Sequence, residues 1–301
     1  MHRSHAHRFF HCALIGAAIS AIAATHASNV AAQPNVNVPG LNQPNAPAPY
    51  VPTVGQSGKD VIWVPTPDSL VERMLRMARV TASDVVVDLG SGDGKIAIAA
   101  ARNFRAKSRG IEFNPDMVSL AREQAKAAGV GEVVQFINGD IFAMDFTDAT
   151  VITMYLLPSL NLRLRPKLLE MRPGTRIVSH AFTMGDWEPD EVSAADGRTA
   201  YLWIVPANAN GAWRVQHAGP HGTESIDITL TQRYQKLEGN AQRGNRLSPV
   251  AGTLQGDRLR FTLNDSESGE RVFVGRVVED RIEGRVRLQS GMETPFSGQR
   301  P

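Results

Sequence analysis

The run Asp88-Leu-Gly-Ser-Gly-Asp-Gly94 carries the densest chemical signal in the sequence. Glycines at alternating positions let a backbone come close to a ligand, and a loop of bare amides suits an anionic group. The spacing decides which ligand. The dinucleotide fingerprint needs G-x-G-x-x-G, and the position of its third glycine is Lys95. A nicotinamide dinucleotide site therefore fails by one residue. Two acids stand at comparable places further on: Glu112 after Lys107–Ile111, and Asp140 in Asn138-Gly-Asp140 after Glu132–Ile137. Ionised carboxylates only accept hydrogen bonds, so both positions ask for a ligand that donates.

Such residues need a scaffold that brings them to one edge. Asp84–Leu89 is a continuous β-branched run, the mark of a strand buried on both faces. Before it, Leu70, Val71, Met74, Leu75 and Ala78 share one helical face, with Pro67 or Asp68 as the start. After it come a helix from Lys95 to about Asn103, a strand at Lys107–Ile111 and a helix over Pro115–Ala128 stopped by Gly129. Strands at Glu132–Ile137 and Thr150–Tyr155, a helix from Pro158 to Glu170 and a strand at Thr175–Phe182 continue the alternation. The pattern predicts a parallel sheet with helices on both faces, and such sheets bind ligands outside the carboxyl ends of their strands.

The first strand with its glycine loop resembles the first motif of the class I S-adenosylmethionine-dependent methyltransferases. The resemblance implies S-adenosylmethionine as cofactor, Glu112 on its ribose hydroxyls and Asp140 on its adenine amino group. The chemistry agrees, since Glu112 can accept from two hydroxyls and Asp140 from an exocyclic amine. Thr66, Asp88, Gly90, Ser91, Gly92, Gly94, Asn114 and Ile141 complete the cofactor-binding set that it implies. Val64-Pro-Thr-Pro67, Tyr155-Leu-Leu-Pro158 with Asn161, and Arg172-Pro-Gly-Thr-Arg-Ile-Val-Ser179 are similar to a bacterial group. That group is related to the small non-SET protein lysine methyltransferases, including those acting on a mitochondrial ATP synthase subunit. The expected fold is α/β, a Rossmann-like class I methyltransferase sheet. The fourth strand ends in Met154-Tyr-Leu-Leu-Pro158 and lacks the N/D-P-P-Y/F motif of many nucleobase N-methyltransferases, which argues against base methylation.

Methyl transfer from a sulfonium is an in-line displacement, so positioning and desolvation supply most of the acceleration. A lysine acceptor must lose its proton, against an unperturbed pKa of ~10.4. Tyr155, Asn161 and His180 lie at or just after the ends of expected strands and are the catalytic candidates. Each has a plain alternative: a packing aromatic, a helix-surface amide and a satisfied core histidine. Asp186 and Trp187 sit in a loop that reads as a lid or a turn.

Thr199–Val205 and Ala212–Gln216 flank Asn208-Ala-Asn-Gly211 and read as a hairpin that completes the sheet. Beyond it only strands are expected, at Ser225–Leu237, Val250–Gln255, Arg258–Leu263, Arg271–Val278 and Arg281–Leu288. Gly256-Asp257 and Glu279-Asp280 serve as turns, and a meander, small barrel or sandwich results. His217-Ala-Gly-Pro-His221-Gly222 marks the boundary as a breaker, with His217 a linker residue.

The amino end differs from all of this. Arg3 and Arg8 precede a mostly apolar run from Phe9 to Ala24, and small residues allow cleavage after Ala27 or Ala32. This reads as a Sec-type export signal, with an uncleaved anchor as the alternative. Cleavage after Ala32 removes Cys12, the one cysteine, which suits an oxidising compartment. The expected organisation is a signal at 1–32, a Pro-rich disordered linker at 33–58, a methyltransferase domain at 59–218 and a β-rich accessory domain at 222–301.

The 301 residues are 42% hydrophobic and 21% charged, with a net charge of +2, which excludes wholesale disorder and argues against a nucleic-acid partner. A single cysteine excludes a disulfide framework and a cysteine-ligated zinc site, and no metal site is expected. Two classes of function stay open: an enzyme methylating a protein lysine or a small molecule, and an exported binding protein that kept the fold without catalysis.

Overall fold

In a computed structural model, the described residues are 50–219, 222–266 and 269–301. The segment expected to be an export signal, most of the expected linker and His221 lie outside them. Among the described residues no helix is long and apolar enough to cross a membrane.

The chain first builds α1 (Asp68–Met77), β1 (Val85–Leu89), α2 (Lys95–Phe104), β2 (Lys107–Glu112), α3 (Pro115–Ala127) and β3 (Val134–Asn138). It continues with β4 (Val151–Met154), α4 (Pro158–Leu169), β5 (Arg176–His180), β6 (Glu191–Ala195) and β7 (Arg198–Ile204). The sheet order is β3-β2-β1-β4-β5-β7-β6. The five strands from β3 to β5 run parallel, β7 runs antiparallel to β5, and β6 antiparallel to β7. α1 buries Leu70, Val71, Met74 and Leu75 completely or nearly so, as its helical stripe requires. β1 and β4 are buried almost throughout, with apolar runs to match.

At the amino-terminal edge of the sheet Asp84 binds three neighbours. It accepts from the Thr150 hydroxyl at 2.7 Å, the Thr81 amide at 2.8 Å and the guanidinium of Arg176. This clamp ties the starts of β1, β4 and β5 together at the end away from the glycine loop.

The rest of the chain is a second body: β8 (Gly211–Gly219), β9 (Gly222–Arg233), β10 (Lys236–Arg243), β11 (Arg246–Gln255), β12 (Arg258–Asp265), β13 (Gly269–Val278), β14 (Arg281–Arg287) and β15 (Glu293–Gln299). They form a closed antiparallel meander in which β15 pairs with β8. Of the three architectures expected, the barrel is realised. Its interior is filled: Phe261 stacks on Phe273 at 4.4 Å, with Phe296 edge-on to both.

Several expectations change. The hairpin that completes the α/β sheet is β6–β7, turning at Asp196-Gly197, and β8 pairs with β9 and β15. The switch to all-β structure therefore falls between Ile204 and Gly211. His217 lies inside the barrel on β8, where Trp213 and Val215 already point inward at the same parity. The single strand expected over Ser225–Leu237 is two strands, β9 and β10, folded at Tyr234-Gln235, and β6 and β15 are additional. Residues 50–58, expected as tether, take defined structure. Gln56 donates to the Tyr50 hydroxyl at 2.6 Å, and a tight turn forms as Gly58 donates to Val61 and Trp63 to Gln56.

Candidate functional site

The carboxyl ends of β3, β2, β1 and β4 open onto a cavity of about 570 Å³, inside the usual range for a small-molecule site. Its lining follows the sheet order. Asp140 and Ile141 come from the turn after β3, Glu112, Phe113 and Asn114 from the end of β2, the glycine loop and Asp88 from β1, and Tyr155 to Leu157 from β4. Four successive strand ends thus contribute to one chamber, as expected for a doubly wound sheet.

The glycine loop fits under a lid. Gly92 has φ +53°, and a Cβ there would come within 2.7 Å of the Trp63 indole nitrogen. Trp63 belongs to the turn Gln56–Trp63, all eight residues of which line the cavity. Glu112 braces the loop from below: one carboxylate oxygen accepts from the Gly92 amide at 3.0 Å, the other from the Asn114 amide at 2.9 Å. Each oxygen keeps a second lone pair for a ligand hydroxyl. Asn114 caps α3, its side chain accepting from Asp116 at 2.9 Å. Gly94 does not line the cavity. A Cβ there would lie 2.5 Å from the Phe136 ring and 2.9 Å from Ala121, so this glycine lets α3 and β3 close on α2.

The electrostatics are distinctive. Asp60, Asp88, Asp93, Glu112 and Asp140 line the cavity, against the cations Lys59 and Lys95. Asp88 is 2% exposed, and its side chain accepts from the Thr153 hydroxyl at 2.7 Å. Burial pushes its carboxyl up to about 7, opposed by that hydrogen bond and helped by the nearby charges of Asp93 and Glu112. Burial also raises Asp93. Asp140 is held low by Lys59, whose ammonium lies 2.6 Å away and 4.8 Å from the Phe113 ring centre. A cavity with this balance favours a cationic ligand and disfavours the paired phosphates of a dinucleotide.

Beyond Tyr155 the wall is aromatic. Its ring stacks on His180 at 3.7 Å and lies 6.1 Å from Phe182. His180 is 1% exposed and does not line the cavity; its Nδ1 lies 3.0 Å from the hydroxyl of Thr66, which does. Burial, with the charge of Arg198 adding, lowers its pKa to about 4, so the imidazole is neutral at ordinary pH. Next to it Ala181 has φ +64°, a left-handed conformation costing an alanine about 1–2 kcal/mol. Asn161 is fully buried beneath this wall, and its amide donates to the carbonyls of Phe182 at 3.3 Å and Thr183 at 3.2 Å. Of the three catalytic candidates, then, Tyr155 faces the cavity, His180 backs it, and Asn161 ties down the Phe182 loop.

The same loop is the joint with the barrel. Asp186 accepts from Arg165 of α4, from Arg233 at 2.9 Å and from the Tyr234 hydroxyl at 3.0 Å. Trp187 is fully buried and stacks on Tyr234 at 5.8 Å. Sequence reasoning missed Lys59, Trp63, Phe113 and Phe182 as lining residues. Turn chemistry at Gly55-Gln-Ser-Gly58, running into the apolar Val61-Ile-Trp-Val64, was the available signal for the lid.

Comparison with known proteins places this geometry. Residues 88–191 match the model of the ANTKMT methyltransferase domain. A protein-lysine N-methyltransferase of Saccharolobus islandicus is 42% identical over 151 residues, covering 48% of this chain and 94% of that one. The adenine nucleotide translocase lysine N-methyltransferase of Mus musculus is 32% identical over 162 residues, 54% of this chain and 65% of the mouse protein. The chain thus spans nearly all of the archaeal relative and under two thirds of the mouse one. A solved structure from Salinibacter ruber, described as an RNA methyltransferase in complex with S-adenosyl-L-homocysteine, is 52% identical, with a TM-score of 0.48, over 48% of this chain and 95% of that chain.

Proposed function

The chain belongs to the class I S-adenosylmethionine-dependent methyltransferases, in the group that holds the protein-lysine N-methyltransferases, and we propose that it methylates the side-chain nitrogen of a protein lysine. The observation that carries this reading is the convergence of Asp88, the glycine loop, Glu112 and Asp140 on one cavity whose next strand end is Tyr155. S-adenosylmethionine, when bound, supplies an electrophilic methyl group on a sulfonium.

The residues present fit that cofactor. The excess of carboxylates matches its ammonium and sulfonium charges, Glu112 has lone pairs left for hydroxyls, and Asp140 stands at the β3 end for an amine. The chain's own work is to position and dry the acceptor. Tyr155, Leu156, Leu157, Leu160 and Phe182 make an apolar wall on the β4 side. Desolvation disfavours an ammonium, so a lysine entering along this wall is shifted toward its neutral, nucleophilic form. Neutral His180, fixed by Thr66, holds the Tyr155 ring in place and acts as a positioning residue.

The residues 1–32 support export to a periplasmic or extracellular site, and N-terminal sequencing that starts at Ser28 or Gln33 is the expected result. A native chain starting at Met1 contradicts cleavage. For the activity itself, full-length protein is incubated with methyl-labelled S-adenosylmethionine, bacterial protein extract and RNA. The account expects the label as Nε-methyl-lysine after acid hydrolysis. Label in RNA or in small molecules alone contradicts the proposed acceptor.

A further inference from the structure

We propose that Lys95 binds the methionine carboxylate of the cofactor, giving up Asp68 to do so. The inference rests on the cofactor reading above and adds a residue that the glycine motif does not contain. Two ammonium groups line the cavity, among the described residues, and they stand at different places along the sheet edge. Lys59 is bonded to Asp140 beyond β3 and lies over Phe113 at the end of β2. Lys95 follows directly on the glycine loop after β1 and opens α2. The strand order β3-β2-β1-β4 therefore separates them by the width of the ribose position marked by Glu112.

Charge matching selects the role. With Glu112 and Asp140 set against the ribose and the adenine, a ligand carrying an ammonium, a sulfonium and a carboxylate finds Asp60, Asp88 and Asp93 for its two cations. Its carboxylate suits the loop amides and an ammonium beside them, and at the β1 end the cavity offers Lys95. Lys95 lies near the Asp93 charge, and its ion-pair partner does not hold it firmly. Its Nζ lies 3.0 Å from Asp68 Oδ1, but the Asp68 side chain is 88% exposed, and such a pair is screened by water and salt. A ligand carboxylate inside the chamber, away from bulk solvent, outcompetes it.

The test uses full-length protein and isothermal titration with two probes, S-adenosylmethionine and its decarboxylated form, which lacks the carboxylate alone. Wild-type protein is expected to prefer S-adenosylmethionine by tenfold or more. Lys95→Met should weaken S-adenosylmethionine by about the same factor and leave the decarboxylated probe unchanged, while Lys59→Met keeps the preference. Asp68→Asn, a change on an exposed side chain, should tighten S-adenosylmethionine and not the decarboxylated probe. A full preference retained in Lys95→Met, or an Asp68→Asn effect equal for both probes, overturns the assignment. Binding of neither probe by wild-type protein would sink the cofactor reading instead, and this proposal with it.

Discussion

Two aspartates at the two ends of β1 show how differently this protein treats buried charge. Asp84 sits at the amino end. Burial works to raise its pKa, but the hydrogen bonds from Arg176, Thr150 and Thr81 and the Arg176 charge outweigh it and hold it low. Asp88 lies near the carboxyl end with a single threonine hydroxyl as side-chain partner, and burial prevails. The barrel follows the first pattern. Its buried Arg271 is 2% exposed, with Nη1 3.0 Å from Glu224 Oε2 and 3.3 Å from His217 Nε2. Where the fold needs only stability, buried charges are paired; where a ligand is to enter, a carboxylate is left short of a cation. The strand-end cavity is a site and the barrel interior is a core.

The strongest way to break that contrast is to strip a partner from the barrel. Arg271→Met takes away the 3.0 Å partner of Glu224 and leaves Arg243 at 3.5 Å, and losing one member of a buried pair costs up to about 3–5 kcal/mol. Urea unfolding should show that loss, while the folded protein binds S-adenosylmethionine within about twofold of wild type, as two independent sites imply. Lost affinity with unchanged stability would invert the roles of the two regions. On the other side, Glu112→Ala removes charged hydrogen bonds worth about 1.5–3 kcal/mol, a loss of roughly ten- to hundredfold in affinity by titration calorimetry. An unchanged dissociation constant in a folded variant would remove Glu112 from the site.

The pH dependence sharpens the comparison further. Asp88 is raised to about 7, so the ionised form that an ammonium ligand needs is present above that value and lost below it. Affinity for S-adenosylmethionine should fall as pH drops through about 7, at up to tenfold per unit well below it. Asp84, held low, contributes no such slope in that range. A flat affinity profile between about pH 6 and about pH 8 would show that Asp88 does not meet a cation there. The smallest effect is expected on the barrel wall. Arg214 and Asp227 form a pair with both side chains 59% exposed, and Arg214→Ala should change stability by less than about 1 kcal/mol, with no effect on binding.

Much of the sheet was legible because its strands are buried on both faces and read as apolar runs between glycine and proline stops, as in Val85–Leu89 and Val151–Met154. β6, β10 and β15 were not. β6 is a largely exposed edge strand, and β10 and β15 bury only one face, using small residues such as Ala241 and Thr294 that carry little hydrophobic signal. The hairpin was misplaced for a related reason: Ala212–Gln216 has strand periodicity, but periodicity does not name the neighbour, and the closing partner β15 lies some eighty residues downstream. In the site, Asp88, Glu112 and Asp140 were readable because each lies at or just beyond the carboxyl end of its own strand. Lys59, Trp63 and Phe182 were not, because tertiary folding alone returns those segments to the cavity. His180 and Asn161 were found by position, yet only the packing shows that neither lines the cavity and that both hold groups which do.

The most direct test of the central claim is calorimetry of the full chain with S-adenosylmethionine and, separately, with NAD. The account predicts one-site binding of S-adenosylmethionine and no measurable heat with NAD, because a cavity of five carboxylates and two lysines repels paired phosphates. Equal binding of the two, or binding of NAD alone, would contradict it.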